Sequence, residues 1–565
     1  MQLLEHFKEL TLHPKNAQEL KGLILQLAVQ GKLTKKWREE NPTVEPSGKL
    51  LDRIKKHNSE QLARKGRRVK SEKYESELKL DLPQNWIQVR NHELFSLQKG
   101  KNPADLSESV KAFPYQDIEA LDRGNVRRYS NDKKAPKCTE DDILVVCDGS
   151  RSGLVLNGKN GIVGSTLAII ETPPFIKEYI KIIFLQDYQR ANENMIGAAI
   201  PHLDTKNLLL EIIGLPPLEE QKAIVEVVNQ LFAEVEQLEA LTKERIQLKS
   251  DFVTSGLNQL TQAAEQDTAS QWAFLQEHFG TFFTEKENIK KLRESILQLA
   301  VQGKLTHHWR SEVRLKGVEV DHASPLLEKI KAEKERQNKA EKKTIKQKPK
   351  WDLPIKENEK HFSLPESWEW FRLGDVCELK HGYAFSSDFF TSDPTPYVLT
   401  TPGNFHENGG FRDRENKRKY YYGPVNPEFI LKPGDLIIPM TEQAAGLLGS
   451  PAFIPDNGMV YLHNQRLGKM SFDSKIVLPE FSFLFFNSSF FRNELARTCT
   501  GIKVRHTSPD RVLCVPFPVC TLQEQLCIVE KVNSLMALCD HLEQEIETHQ
   551  TTQEHWMQSC LREVV

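Results

Sequence analysis

Two short motifs are the first places to look for catalysis in this sequence of 565 residues. The segment at 153–160, GLVLNGKN, has the glycines and the lysine of a phosphate-binding loop. Such a loop also needs a Ser or Thr directly after the lysine to reach magnesium, and Asn160 stands there instead. The segment is therefore better interpreted as a glycine-rich turn.

The segment at 172–175, TPPF, is similar to the tetrapeptide with which adenine methyltransferases accept a hydrogen bond from the target amino group. That motif begins with Asp, Asn or Ser, whereas Thr172 begins this one, and no FxGxG cofactor loop precedes it. We expect no catalytic site and no bound cofactor in this chain, but an embedded methyltransferase or nuclease activity stays an alternative.

Metal chemistry has equally little support. His307 and His308 are adjacent, so they diverge on a helix, and Glu140–Asp142 is typical of a solvated turn. The nine cysteines are scattered without a CxxC pair, as in a reduced protein. We therefore expect no metal site. The start of the chain lacks a signal peptide and no long apolar run follows, so we expect a cytoplasmic protein with no membrane partner.

Binding chemistry is better represented, although the formal net charge is −2. Basic, amide and aromatic side chains cluster in and beside Gly-rich turns, where they suit phosphates and base edges. The candidates for binding double-stranded DNA are, in one half, Lys99, Lys101, Arg123, Arg127, Arg128, Arg151 and Lys159, and in the other half Lys380, Tyr383, Arg412, Arg414, Lys417, Arg418, Lys419, Gln465, Arg466, Lys503, Arg505 and His506.

Internal repeats show which elements must position these residues. The eleven residues ILQLAVQGKLT occur at 24–34 and again at 296–306, and each copy is followed by Trp-Arg and later by Leu-Pro-x-x-Trp, at 82–86 and 364–368. We expect each copy to be a helix, with Gly31 and Gly303 as C-terminal caps.

A second repeated segment follows each divergent block. It contains Glu-Gln and then Ile-Val-Glu, at 220–226 and 524–530. Apolar residues continue from it at spacings of four and three, which is the seam of a coiled coil. The seam residues are Ile224, Val228, Leu231, Val235 and Leu238 in the first copy, and Ile528, Val532, Leu535, Cys539, Leu542 and Ile546 in the second. Two matching seams favour pairing of these helices with each other, although a helix packed on its own domain is the alternative.

The divergent blocks contain short apolar strands, such as those at 142–146 and 435–439, followed by Gly-rich or Asn-rich turns. We predict an α+β protein with a pseudo-two-fold internal repeat, in which two α/β domains are separated by a long antiparallel helical coiled-coil spacer. Basic tracts around 53–79 and 329–350 contain few large apolar residues, and could be linkers or phosphate-binding arms.

The paired ILQLAVQGKLT segments, the Leu-Pro-x-x-Trp motifs and the Leu-x-Glu-Gln starts of the long helices together resemble the specificity subunits of type I restriction–modification systems. The resemblance covers essentially the whole chain. It implies a non-enzymatic subunit with two target-recognition domains, each reading half of a bipartite DNA sequence. It also implies two methylation subunits, which carry S-adenosylmethionine, and motor-nuclease restriction subunits as partners. A coiled-coil scaffold that touches only proteins is the other alternative.

The repeats predict six segments. They are an N-terminal helical region and basic linker (1–80), a first recognition domain (81–216), a central helical region (217–310), a second basic linker (311–362), a second recognition domain (363–517) and a C-terminal helix (518–565).

Overall fold

The computed structural model describes residues 16–64, 80–193, 202–316, 322–325, 328–330, 332, 336, 350–442, 444–499 and 505–564. The chain forms two compact units. Unit 1 contains Met1–Ile246 and Thr552–Val565, and unit 2 contains Gln247–Thr551. The boundaries between the units fall within two long helices, which are α8 (Leu218–Gln262) and α17 (Leu522–Val564).

Within its described residues, unit 1 combines helices with ten short strands. Its helices are α1 (Asn16–Val29), α2 (Lys35–Glu40), α3 (Ser47–Arg64), α4 (Asn91–Leu94), α5 (Ile118–Arg123), α6 (Lys177–Glu193) and α7 (Thr205–Leu210). Its strands are β1 (Ile87–Arg90), β2 (Ser96–Lys99), β3 (Phe113–Gln116), β4 (Tyr129–Ser130), β5 (Lys137–Cys138), β6 (Ile143–Val146), β7 (Val155–Asn157), β8 (Gly161–Val163), β9 (Leu167–Glu171) and β10 (Ile212–Leu215).

Unit 2 has a similar order of helices and strands, with a few additional elements. Its helices are α9 (Thr268–Glu277), α10 (Phe279–Phe282), α11 (Lys286–Val301), α12 (His307–Leu315), α13 (Leu373–Val376), α14 (Pro479–Asn487), α15 (Ser489–Thr498) and α16 (Pro509–Leu513). Its strands are β11 (Glu369–Arg372), β12 (Cys377–His381), β13 (Phe390–Thr391), β14 (Tyr397–Leu399), β15 (Tyr420–Tyr421), β16 (Ile430–Leu431), β17 (Leu436–Pro439), β18 (Ala452–Phe453), β19 (Val460–Leu462), β20 (Leu467–Phe472) and β21 (Pro516–Val519).

The divergent block of each unit begins and ends in one antiparallel ribbon, β1 with β10 in unit 1 and β11 with β21 in unit 2. Between these strands lie a central sheet, ordered β2-β9-β6-β7 or β12-β20-β17-β18, and a second sheet, ordered β4-β3-β8-β5 or β13-β15-β14-β19-β16. The second sheet contains one parallel pair in each unit, β3 with β8 and β14 with β19. The two divergent sequence blocks therefore share one topology.

The first six residues of each repeated eleven-residue segment are helical, as predicted. Each helix ends two residues before a glycine with positive φ, which is +68° at Gly31 and +72° at Gly303. The same glycines lie against the Leu-Pro-x-x-Trp motifs. A Cβ on Gly31 would be 2.8 Å from Pro83 and 2.9 Å from Trp86, and one on Gly303 would be 2.7 Å from Pro365. A larger residue would strain the turn and push the motif away.

Most of the predicted seam of each long helix packs in the core of its own unit, although Leu231 and Leu238 are only half-buried. In unit 1 Ile224, Val228 and Val235 share a core with α1, and Lys21 on α1 bonds to Glu236 at 2.7 Å. The equivalent residues of unit 2 share a core with α11; they are Ile528, Val532, Cys539, Leu535, Leu542 and Ile546. Each seam thus packs on the repeated segment of its own unit, and pairing of the two long helices stays a prediction.

A buried carboxylate joins the repeated landmarks of unit 1. Glu220, at the start of α8, has no exposed surface. It accepts hydrogen bonds from Thr34 Oγ1 at 2.7 Å, Arg38 Nη1 at 2.5 Å and Trp86 Nε1 at 2.9 Å. The helix cap, the motif before the recognition domain and the long helix are therefore fixed to one another by one side chain.

Unit 2 repeats this junction with a variation. Glu524 is equally buried and accepts from Thr306 Oγ1 at 2.7 Å and from Arg310. Arg310 also donates to Glu265, a second carboxylate. Trp368 Nε1, in contrast, has no partner among the described residues.

Part of the first basic tract is ordered. Residues 47–64 form the helix α3, whose residues Leu50 and Ile54 are buried. The rest of that tract and most of the second one lie outside the described residues.

Candidate nucleic-acid interface

One end of the central sheet in unit 1 holds two of the candidate lysines. Strand β2 ends at Lys99, beside the start of β9. Gly100 N donates to Leu167 O at 2.8 Å and Lys101 N donates to Val163 O at 3.0 Å. A Cβ on Gly100 would lie only 2.2 Å from Gly164 O, so only glycine lets the two backbones approach this closely.

Unit 2 builds the same contact with a different sequence. Gly382 N donates to Leu467 O at 3.2 Å, and Tyr383 N donates to His463 O at 2.9 Å. A Cβ on Gly382 would lie 2.1 Å from Asn464 O. Lys101 is therefore equivalent to Tyr383, and Lys99 is equivalent to His381.

The neighbouring strand end adds an acid and a histidine in unit 1. Cys147 N, after β6, donates to Thr166 O at 2.7 Å, and Leu203 N donates to Cys147 O at 2.9 Å. These bonds bring Asp148 beside Lys99 Nζ, at 3.0 Å, and His202 Nδ1, also at 3.0 Å. Hydrogen bonds from Lys99 and His202 lower the pKa of Asp148.

In unit 2 the same two backbone bonds join Met440 N to Arg466 O at 2.8 Å and Thr507 N to Met440 O at 3.0 Å. His506 Nδ1 lies 3.3 Å from Thr441 Oγ1, so His506 is equivalent to His202 and Thr441 to Asp148. The predicted residues Gln465, Arg466 and His506 are therefore brought to one place. Lys503 lies outside the described residues.

The second sheet contributes one basic residue to the same end of each domain, at equivalent positions. Tyr115 N donates to Arg128 O and Leu399 N to Lys419 O, both at 2.8 Å, so Arg128 and Lys419 are equivalent. The Arg128 guanidinium stacks 4.7 Å from the centroid of Tyr115, whose hydroxyl accepts from Ser165 N at 3.3 Å.

We call these positions the loop edge of each unit. The loop edge of unit 1 consists of Lys99, Lys101, Arg128, Asp148, Ser165, Thr166 and His202, and that of unit 2 of His381, Tyr383, Lys419, Thr441, Gln465, Arg466 and His506.

Other candidates of unit 1 gather at the C-terminal end of α5. Lys159 donates to Ala120 O at 3.1 Å and to Leu121 O at 2.8 Å, so its charge caps that helix. Arg151 bonds to Asp122 at 2.9 Å, which lowers the pKa of that carboxyl. Arg123 is in the last turn of the same helix.

The segment that resembles a phosphate-binding loop does not have that shape. Residues 151–153 form a turn that leads into the strand β7, and no helix follows directly. Thr172 donates to Leu94 O at 3.2 Å, beside a short 3-10 helix at Pro174–Ile176. Both segments therefore have local structural roles.

The remaining candidates of unit 2 are spread over the second sheet and its loops. Lys380 lies over the ring of Phe429 at 4.9 Å, Arg412 lies 3.2 Å from His406, and Arg414 lies beside Gly403. Lys417 ends a short 3-10 helix. Arg418 makes two hydrogen bonds to Asp413 and is only 20% exposed.

Carboxylates neutralise many of the candidate cations. Seven of them form ion pairs of 2.5–3.5 Å within their own units; these are Lys99, Arg127, Arg128, Arg151, Lys380, Arg418 and Arg505. In the part of the chain that the structure describes, eight have no carboxylate within ion-pair distance; these are Lys101, Arg123, Lys159, Arg412, Arg414, Lys417, Lys419 and Arg466. An incoming DNA strand would reach these eight without first displacing an acid.

Sequence reasoning missed Asp148 and Thr441, but it does match His506 with His202. One signal was available for the histidines, because each stands at the same spacing before the first residue of its long helix, Leu218 or Leu522. The acid and the hydroxyl had no such signal, since backbone pairing alone places them.

Two other kinds of site are absent from the described part of the chain. Within the described ranges no group of three or more His, Cys, Asp or Glu residues could hold a metal ion. Across those same residues no helix has the length and the apolar character needed to cross a membrane.

Comparison with known proteins gives a consistent result. The family model of the type I restriction modification DNA specificity domain matches residues 83–248 and again residues 365–549. The EcoAI specificity subunit of a type I restriction enzyme from Escherichia coli is 28% identical over 563 residues, which is 95% of this chain and 92% of that protein. The EcoEI specificity subunit, also from Escherichia coli, is 24% identical, again over 95% of this chain and 92% of that protein.

Solved structures were found as well. One, described as the structural basis of complex assembly and conformational transition of the type I R-M system, has 15% identity and a TM-score of 0.47 over 86% of this chain and 98% of its own. A crystal structure of the HsdS subunit from Thermoanaerobacter tengcongensis has 17% identity and a TM-score of 0.36 over 86% and 97%. From the two matches to the family model, the chain belongs to the DNA-specificity subunits of type I restriction–modification systems, which are non-catalytic components of those complexes.

Proposed function

We propose that each unit reads one half of a bipartite DNA sequence through its loop edge. One observation carries this proposal: both units build the edge from the same backbone hydrogen bonds but place different side chains on it. A duplicated scaffold with different side chains suits two half-sites that share the shape of duplex DNA and differ in sequence.

The groups at the edge have the right chemistry for DNA. Lysine and arginine bind phosphates, while amide, guanidinium, carboxylate and hydroxyl groups pair with base edges in the major groove. The loop edges of both units contain a mixture of these groups, and in unit 2 Tyr383 is 49% exposed beside them. The net charge of −2 is compatible with DNA binding, because the electrostatic field at each loop edge depends on the cations nearby and not on the total charge.

The partners that we propose follow from the family and from the repeat. Two copies of the first repeated segment, each packed on a long helix, offer two similar surfaces, which suits two methylation subunits. S-adenosylmethionine would be bound by those subunits and not by this chain. Restriction subunits would join the same complex, and a cytoplasmic location suits these partners.

We further propose that α8 and α17 form an antiparallel spacer between the two reading domains. They contain 45 and 43 residues, about 68 and 65 Å as straight helices. Half-sites on one face of DNA lie roughly 34 Å apart, so helices of this length are sufficient to fix a gap.

Exchange of one domain tests this proposal. Residues 91–211 would be replaced by the equivalent block of another specificity subunit, which leaves the ribbon β1–β10 and both long helices intact. Methylome sequencing of a host with the complex should show one changed half of the motif, with the other half and the gap unchanged. A motif that changed in both halves, or kept both, would contradict the proposal.

A further inference from the structure

Position by position, the two loop edges separate into shared and divergent chemistry. A histidine recurs at His202 and His506, and a cation recurs at Arg128 and Lys419. The turn before the second strand of the central sheet, in contrast, contains Ser165–Thr166 in unit 1 and Gln465–Arg466 in unit 2.

Two different half-sites of one duplex share their phosphodiester backbone and differ in their bases. Contacts to phosphates fix the position of a protein on DNA but contain no direct sequence information, whereas contacts to base edges specify. A side chain that recurs in both units therefore suits a contact to the DNA backbone, and a side chain that differs between the units suits a contact to the bases.

The turn of unit 2 is rigid beneath its two long side chains. Gln465 N donates to Tyr383 O at 2.8 Å, and Arg466 N donates to Asn464 Oδ1 at 3.0 Å. Arg466 O accepts from Met440 N at 2.8 Å. The side chains of Gln465 and Arg466 are exposed, and neither has a hydrogen-bond partner among the described residues.

These are also the two side chains that best read purines. Arginine donates two parallel hydrogen bonds to guanine O6 and N7, and the glutamine amide pairs with adenine N6 and N7. Ser165 and Thr166, at the equivalent positions of unit 1, are too short for a bidentate contact at the same depth.

The histidines have a different geometry. In each unit Nδ1 is held by the side chain at the end of the central strand, Asp148 at 3.0 Å or Thr441 at 3.3 Å. Both rings are exposed, and the side chain of His202 is 70% exposed. Such a ring keeps Nε2 for one outward hydrogen bond in a fixed direction.

We propose a division of roles within each loop edge, which rests on the proposed function. His202, with both ring nitrogens protonated, donates from Nδ1 to Asp148 and from Nε2 to a phosphate, and His506 donates from Nε2 to a phosphate. Both histidines anchor their units on DNA without regard to sequence. Gln465 and Arg466 read adjacent purines, with guanine opposite Arg466, in the half-site of unit 2. Unit 1 reads its half-site through its own divergent positions, Lys101 and Asp148.

Two variants with opposite signatures test this division in the complex with its methylation subunits. The probes are a duplex with the motif found by methylome sequencing and a duplex of equal length with the half-site of unit 2 scrambled. Arg466→Ala should reduce the ratio of the two affinities by about 10- to 100-fold. His506→Ala should weaken binding of both duplexes several-fold and by the same factor, so that the ratio stays unchanged.

Lys475→Ala is the matched control, because Lys475 is exposed beyond the opposite end of β20. It should change neither affinity, and all three variants should unfold at the wild-type temperature. Equal signatures for Arg466→Ala and His506→Ala would overturn the division of roles. A wild-type complex that did not distinguish the two duplexes would instead overturn the proposed function.

Discussion

The buried carboxylate of unit 1 gives a quantitative prediction. Replacing Glu220 by glutamine keeps the volume but removes the charge that Thr34, Arg38 and Trp86 share. Hydrogen bonds to charged groups contribute about 1.5–3 kcal/mol each, and removal of one member of a buried pair costs about 3–5 kcal/mol. Arg38 is 18% exposed and regains some hydration, so we expect a loss near the lower limit, about 3 kcal/mol.

Urea unfolding of the full-length chain measures this loss as an earlier first transition. Glu226→Gln, an exposed position on the same helix, is the control and should change stability by less than about 0.5 kcal/mol. Glu524→Gln should cost less than Glu220→Gln, because Arg310 keeps Glu265 and Trp368 does not bond to Glu524. A loss below about 1 kcal/mol for Glu220→Gln would refute the role assigned to this carboxylate.

Two further predictions concern the loop edge of unit 2. Gly382→Ala would place a Cβ 2.1 Å from Asn464 O, so binding of the motif duplex should weaken at least about tenfold. Gly48→Ala is the control, because no atom lies within 4 Å of the added Cβ, and it should leave binding unchanged. Equal binding by both variants would contradict the close approach. Burial lowers the pKa of His463 to about 4. Between pH 4 and about 6.5 the unfolded state therefore binds more protons than the folded state. The free energy of unfolding should fall by up to about 3 kcal/mol as the pH falls through that range. Urea unfolding at pH 4 and at about pH 6.5 should show a smaller fall in the free energy of unfolding for His463→Gln than for the wild type. An equal fall would show that His463 is not the source of the pH dependence.

The helices were largely predictable from the sequence, because their signals are local. Apolar spacing and the glycines at 31 and 303 correctly indicated the repeated helices. The same spacing identified the buried face of each long helix but not its partner, since a heptad pattern specifies which residues are covered and not what covers them. The packing of α1 on α8 and of α11 on α17 therefore needed the structure.

The candidate site was less predictable, because a cation in a loop says nothing about its neighbours. Lys159 follows a glycine like a phosphate-binding lysine, yet it caps α5. Arg418 is in a basic run that looks suited to DNA, yet Asp413 holds it. The pairing of a charge depends on which strands lie side by side, and β pairing joins residues that are distant in the sequence.

The basic tract after the first repeat shows how few apolar residues suffice for order. Leu50 and Ile54 are spaced four apart, so both point to one face of α3 and are buried there. The composition of the stretch 53–79 did not show this pair, because the helix begins at Ser47 and Leu50 lies before that stretch.

The backbone of the loop edge explains how the two halves could diverge without loss of the fold. Its hydrogen bonds join main-chain groups, so most side chains at the edge can change while the strands keep their register. The exceptions are Gly100 and Gly382, where a Cβ would collide with the facing carbonyl oxygen. The junctions at Glu220 and Glu524 depend instead on specific side chains, and they are repeated almost unchanged. Variation is therefore tolerated where the structure is held by its backbone and restricted where it is held by side chains. Under the proposed function, that distribution would allow a new half-site to be read while the helices proposed to bind partner subunits stay the same.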